Sequence, residues 1–357
     1  MRVTNKLIGE RNLPEVMKFV DGRAVNEENW AERKEEILDI LRREEYGYSP
    51  PAPAYVKVEK DGAEKVSFAG KATVQQLKFT VPTDKGEFTY PVAQIVPTKR
   101  PEGGKLPVFV LVNFTAGIPD RSFPTENVVD AGCAVMRIYY NDVAFDGQDN
   151  FEGGIASHFD RTKYTWGKIG MWAWAASRVY DYLETVDWAD YCRIAVAGHS
   201  RLGKTALWCA ANDPRFALAC VNDSGCSGDA ITRDKKGERV AQITKNFPYW
   251  FCENYKKYAN NESAMPFDQH FLVAAVCPGR VALGAALDDQ WADPESQYLS
   301  ACAASPVWEV CGYRGFVHPE RLPVPGDFFN GGEVTYHLRA GAHGFSSEDW
   351  KRYLTLI

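Results

Sequence analysis

Residues 198–205 read Gly-His-Ser-Arg-Leu-Gly-Lys-Thr, and this octapeptide constrains the chain more than any other stretch. It satisfies the phosphate-loop pattern G-x-x-x-x-G-K-[ST]. It also reads as a variant nucleophile elbow, a serine presented on a sharp strand-to-helix turn. Both readings require a strand before it and a helix after it. The apolar run 194–197 and the stretch 204–211 meet that requirement.

The surrounding chain sets the fold. Residues 26–46 carry Trp30, Ile37, Ile40 and Leu41 at helical spacing, and Gly47 with Pro50-Pro51 ends that helix. Residues 54–97 alternate as antiparallel strands, with turn signals at Asp61-Gly62 and Asp84-Lys85-Gly86. From about residue 107, apolar runs at 107–114, 134–140, 194–197, 217–221, 282–287 and 334–338 alternate with helical stretches such as 169–186. Buried strands separated by helices predict a mostly parallel sheet covered on both faces, an α/β architecture. One domain spanning 1–357 is expected, with the helical segment 1–50 packed against it.

Three features favour the elbow over the phosphate loop. A phosphate loop cradles its ligand with backbone N–H groups and favours small residues, whereas His199, Ser200, Arg201 and Leu202 fill this one with bulk. The octapeptide also follows several strands, where a phosphate loop follows the first. The downstream chain supplies what a nucleophilic serine needs: a histidine to take its proton and a carboxylate to hold that histidine, in the order serine, acid, histidine. Val221-Asn222-Asp223, a strand-end aspartate, is what remains for a nucleotide reading.

Of the six histidines, His158 precedes the serine, His199 adjoins it and is expected to point away, and His270 and His337 lie within predicted elements. His318 sits in a loop with no strand before it. His343 follows the last strand in Gly341-Ala342-His343-Gly344, just before a C-terminal helix opened by Ser346, and is the candidate base. Two aspartates end strands on the same edge, Asp223 and Asp289, and either could serve as the acid.

These residues carry a family resemblance. Gly198-His199-Ser200-Arg201-Leu202-Gly203-Lys204 resembles the G-[CH]-S-R-x-G-K elbow of glucuronoyl esterases, carbohydrate esterase family fifteen. Tyr139-Tyr140-Asn141-Asp142, Phe247-Pro248-Tyr249-Trp250-Phe251, Asp268-Gln269-His270 and Asp289-Gln290-Trp291-Ala292-Asp293-Pro294 resemble further segments, and the likeness covers about residues 30–357. The resemblance implies an α/β-hydrolase fold with Ser200 as nucleophile, His343 as base, and Asp223, Asp289 or both as acid. It implies that Arg201 helps an oxyanion hole, and that Lys204, Glu238 and Trp291 hold the sugar. Where members carry a glutamine that contacts the uronate, this chain has the shorter Asn246.

The implied substrate is an ester of (4-O-methyl)glucuronate on xylan, cleaved through an acyl-enzyme. A xylan or other sugar deacetylase, a catalytically dead carbohydrate-binding protein and a nucleotide-binding protein are the alternatives. A net charge of −6 offers no basic patch for nucleic acid. No apolar run approaches the length of a membrane span, and the N-terminus shows no leader, so a cytoplasmic location is expected as written, or secretion if a leader was removed. The 9 cysteines show no metal-ligand spacing and read as buried thiols, a Cys220–Cys226 bridge being the exception to consider. No cofactor, no metal and a monomer are expected.

Overall fold

The strand Leu106–Asn113 shows how the molecule is layered. Its Val108, Val110 and Val112 join one buried cluster, while Phe109 and Leu111 join another. Successive strand residues point to opposite faces, so the sheet separates two cores. The computed structural model describes residues 3–120 and 123–357. Residues 1 and 2 of the expected N-terminal segment lie outside these.

The strands are β1 (Lys57–Ser67), β2 (Ala72–Thr83), β3 (Gly86–Pro97), β4 (Leu106–Asn113), β5 (Ala134–Tyr139), β6 (Ala189–His199), β7 (Leu218–Asn222), β8 (Arg280–Ala286), β9 (Phe328–Phe329) and β10 (Val334–Arg339). Among the described residues they form one sheet in the order β1-β2-β3-β5-β4-β6-β7-β8-β10-β9. Strands β5, β4, β6, β7, β8 and β10 run parallel. The β1–β2–β3 meander joins antiparallel through β3 and β5. Helices Lys168–Leu183 and Arg201–Asn212 cover one face, and helix Ser347–Tyr353 places Trp350 and Tyr353 in the core of the other. This is the α/β-hydrolase arrangement. The chain passes from β4 to β5 on one side and then crosses back to β6 on the other, and such a switch point opens a crevice at the carboxyl ends of the strands.

Two local expectations change. Asp61-Gly62 does not turn the chain. It lies inside β1, where the register with β2 shifts between Asp61 and Lys65. The reversal falls instead at Phe68, Ala69 and Gly70, all with positive φ; an Asp-Gly pair suits a bulge as well as a turn. The first long helix begins at Trp30 rather than 26, because Asn26 and Asn29 exchange backbone-to-side-chain hydrogen bonds of 2.8 and 3.0 Å in a turn that precedes it. It closes in a single wider turn, Arg42–Tyr46. All nine cysteines are free thiols, Cys220 and Cys226 included. Among the described residues no helix is long and apolar enough to cross a membrane.

Candidate active site

The elbow forms where β6 gives way to helix Arg201–Asn212. Ser200 between them has φ 58° and ψ −126°, a conformation that costs a non-glycine residue roughly 1–3 kcal/mol. Close packing explains the flanking glycines. A Cβ at Gly198 would sit 2.0 Å from the Leu202 carbonyl oxygen, and one at Gly203 would sit 2.9 Å from that of Asn222. The glycines that imitate a phosphate loop are therefore there to let backbones pass. The Ser200 N–H donates to Asn222 O at 2.9 Å and that of Lys204 to Ser200 O at 3.1 Å, so two of the turn's donors are spent on backbone carbonyls. This close-packed turn counts against the nucleotide reading.

The candidate base and a candidate acid sit on two neighbouring strand ends. His343 lies in the loop after β10, and Asp289 lies just past β8. The Nδ1–H of His343 donates to Asp289 Oδ2 at 2.6 Å. The other oxygen of Asp289 accepts from the Ala292 N–H at 3.1 Å. Burial works against the Asp289 charge, but the hydrogen bond and charge of His343 outweigh it and hold the carboxyl below its usual range. Such a partner fixes the ring and stabilises the imidazolium that forms when the serine gives up its proton.

Asp223 has a different environment. Its Oδ2 accepts from Arg339 Nη2 and from the Gly344 N–H, each at 3.3 Å. Its Oδ1 is buried without a partner. Burial and the neighbouring Asp289 charge push its pKa well up, against the pull of Arg339. Arg339 also donates to the carbonyls of Ala340, Ala342 and Gly344 at 3.1, 3.0 and 2.6 Å, and to Asp349 at 3.0 Å. Asp349 in turn binds His337 at 2.8 Å and caps the last helix through Ser346. Asp223 thus belongs to the mount of the His343 loop. Asp223, Asp289 and His343 bring ligand-type atoms within 4.8 Å of one another, and the His343–Asp289 hydrogen bond already uses one atom of each of those two residues.

One cavity of about 320 Å³ gathers the rest. Ser200, Arg201, Lys204, Asp223, Glu238, Asp289, Trp291 and His343 all line it. The Lys204 amine is buried, donates to the Ser224 carbonyl, and has its pKa lowered by that burial. Glu238 is fastened through its N–H to Trp291 O at 3.0 Å. Trp291 leaves 54% of its surface open, forming a flat apolar edge. Asn246 does not reach the cavity: it is exposed at the end of helix Val240–Asn246, and its neighbour Phe247 takes the wall position.

Several site residues escaped the sequence reading. The His199 ring, expected to point away, lies 4.4 Å from the His343 ring. It is held by Asn222 at 2.7 Å, and burial with the His343 charge brings its pKa down to about 3, so it stays neutral. Trp250 lines the cavity, and Asp146 and Arg339 lie behind it. An aspartate in a loop or an arginine at a strand end has no local signal for such roles.

A family model for glucuronyl esterases of fungi matches residues 81–312. The chain belongs to the glucuronoyl esterase family. A carbohydrate esterase from an unknown prokaryotic organism is 31% identical over 96% of this chain and 88% of its own. A 4-O-methyl-glucuronoyl methylesterase from Wolfiporia cocos is 32% identical over 85% of this chain and 74% of its own. Among solved structures, a glucuronoyl esterase from Solibacter usitatus superposes with a TM-score of 0.87 at 32% identity, covering 96% of each chain. One from Teredinibacter turnerae gives 0.87 at 27% identity, covering 98% of this chain and 89% of that one. As a member of this family the chain is a carboxylic ester hydrolase.

Proposed function

We propose that the enzyme hydrolyses esters of glucuronate or 4-O-methyl-glucuronate on xylan, with a lignin alcohol on the far side of the ester, through a covalent intermediate on Ser200. The observation that carries this reading is the meeting of the strained serine and the His343–Asp289 pair with Lys204, Glu238 and Trp291 around one cavity. Attack by Ser200 Oγ on the ester carbonyl passes the hydroxyl proton to His343. The resulting oxyanion is met by the Arg201 guanidinium and by its backbone N–H, one of the unpaired donors at the start of the helix. Collapse breaks the bond to the alcohol, which leaves with the proton from His343. Water then repeats the sequence on the acyl-enzyme, yielding the free uronate and restoring Ser200.

In this reading Asp289 is the working acid and Asp223 supports the loop. The Lys204 amine and the Glu238 carboxylate are a donor and an acceptor suited to sugar hydroxyls, and the Trp291 face suits the C–H side of a pyranose ring. All these groups come from one chain, consistent with action as a monomer in one domain. A second reading, cleavage of acetyl esters, draws support from a neighbour of TM-score 0.87 described as a promiscuous esterase. Comparing kcat/KM on benzyl glucuronate and on acetylated xylan separates them. We expect a preference of at least ~100-fold for the uronate ester, since a site built around hydroxyl-binding polar groups rejects ligands that leave them unpaired. Efficient deacetylation with no turnover of the glucuronate would contradict it.

A further inference from the structure

We propose that Asp146 is the positioning residue for Arg201: its buried carboxylate aims the guanidinium at the forming oxyanion and thereby sets kcat without touching the substrate. This rests on the reading of Arg201 given above.

Arg201 is the first residue of its helix, where the macrodipole opposes a cation. Lys204 lies one turn on, so the charge needs a counter-group to remain beside the serine. Asp146 provides it. Its side chain is 3% exposed. One carboxylate oxygen accepts from Arg201 Nη1 and, at 3.2 Å, from the Tyr140 hydroxyl. The other accepts from the Trp250 indole N–H at 2.7 Å. Three donors thus converge on one carboxylate, a pattern an asparagine cannot match because its amide N–H₂ would meet a donor. The same Trp250 lies under the guanidinium, 4.6 Å from ring centroid to Cζ, with Phe247 at 5.3 Å. Arg201 is therefore held in position by a hydrogen bond and by stacked rings.

The loop that carries Asp146 is fixed from below. Buried Lys168 donates to the carbonyls of Phe145 and Gly147 at 2.5 and 2.8 Å and to Asp149 at 2.6 Å. The Asp146 N–H donates to Asn141 Oδ1 at 2.8 Å. Asp146 itself does not line the cavity, whereas Arg201 and Trp250 do. It reaches the reaction only through them. A donor held this way needs no reorganisation when charge develops, which is the condition for a large effect on the chemical step.

The test is a double-mutant cycle on benzyl glucuronate with Arg201→Ala, Asp146→Ala and the pair. We expect Arg201→Ala to lower kcat by about 100-fold or more and Asp146→Ala by about 30-fold, with KM within about threefold in each. The double variant should be no worse than Arg201→Ala alone. Trp250→Phe, which keeps the ring and removes the N–H, should cost about threefold in kcat. It carries the test alone if the Asp146 variant fails to fold, as judged by circular dichroism; an unchanged kcat would then overturn the proposal. Multiplicative losses in the double variant, or a rise in KM with kcat intact, overturn it as well. If Arg201→Ala keeps full kcat, the oxyanion reading fails and the proposal falls with it. If Arg201→Ala is impaired while Asp146→Ala is not, the proposal alone fails.

Discussion

Ser200 stands between two side chains, each held by a carboxylate, of opposite design. On one side His343 meets Asp289 across a loop that Arg339 ties down through the carbonyls of Ala340, Ala342 and Gly344. On the other, Arg201 meets Asp146 against a stack of aromatic rings. In the proposed mechanism the first pair must let a proton arrive and leave, and its histidine is partly open while its carboxylate is buried. The second must keep its charge throughout, and arginine does so at any working pH. The two supports differ in kind: the His343 loop is held through its backbone carbonyls by Arg339, and Arg201 is held through its side chain by a carboxylate and packed rings.

The largest way to break this comparison is to remove the base. His343→Ala should lower kcat on benzyl glucuronate by ~10⁴-fold or more, measured by initial rates, since triad members act as a unit. Next comes the contrast between the two aspartates. Asp289→Asn should cost about 10³-fold or more, because the amide cannot hold the productive tautomer. Asp223→Asn should cost about 10-fold, through loosening of the loop that Arg339 and Gly344 anchor. Equal losses in the two variants would erase the distinction between acid and mount. At the sugar side, Trp291→Ala should raise KM about tenfold with kcat within about threefold, as expected for a ring that binds ground and transition states alike.

The smallest effect uses a carboxylate outside both pairs as a control. Glu45 is fully buried against Gln269, at 3.1 Å, and burial pushes its pKa up to about 8, against hydrogen bonds that pull it down. The native state therefore keeps a proton that the unfolded chain releases near 4.5, the ordinary glutamate value. The stability this lends is complete below about pH 4.5 and is lost as pH rises through about 8. Glu45→Gln should flatten the fall of Tm across that window by a few degrees, read by thermal denaturation at a series of pH values. An unchanged slope would show that Glu45 is charged when folded.

Much of this was legible in the sequence, for physical reasons. Parallel strands buried on both faces leave unbroken apolar runs, so β4, β5, β7, β8 and β10 stand out to within a residue or two. The placement of Ser200 at an elbow and of His343 in the loop after the last strand was readable because both settings have local signatures. The choice between Asp223 and Asp289 was not, since both end parallel strands and only the path of the 340–344 loop decides which one meets the imidazole. Asp146 lies 55 residues from the arginine it holds, and nothing local sets it apart from the neighbouring Asp142 and Asp149. His199 misled because adjacent side chains diverge in a strand, whereas the elbow turns sharply after it and brings its ring beneath His343.

The account depends most on Ser200 as the attacking group for a uronate ester. The direct measurement is the rate of benzyl glucuronate hydrolysis by the wild type and by Ser200→Ala, with folding checked by circular dichroism. Steady turnover by the wild type and a loss of ~10⁴-fold or more in the variant are expected. Turnover undiminished in Ser200→Ala, or none from the folded wild type, would contradict it.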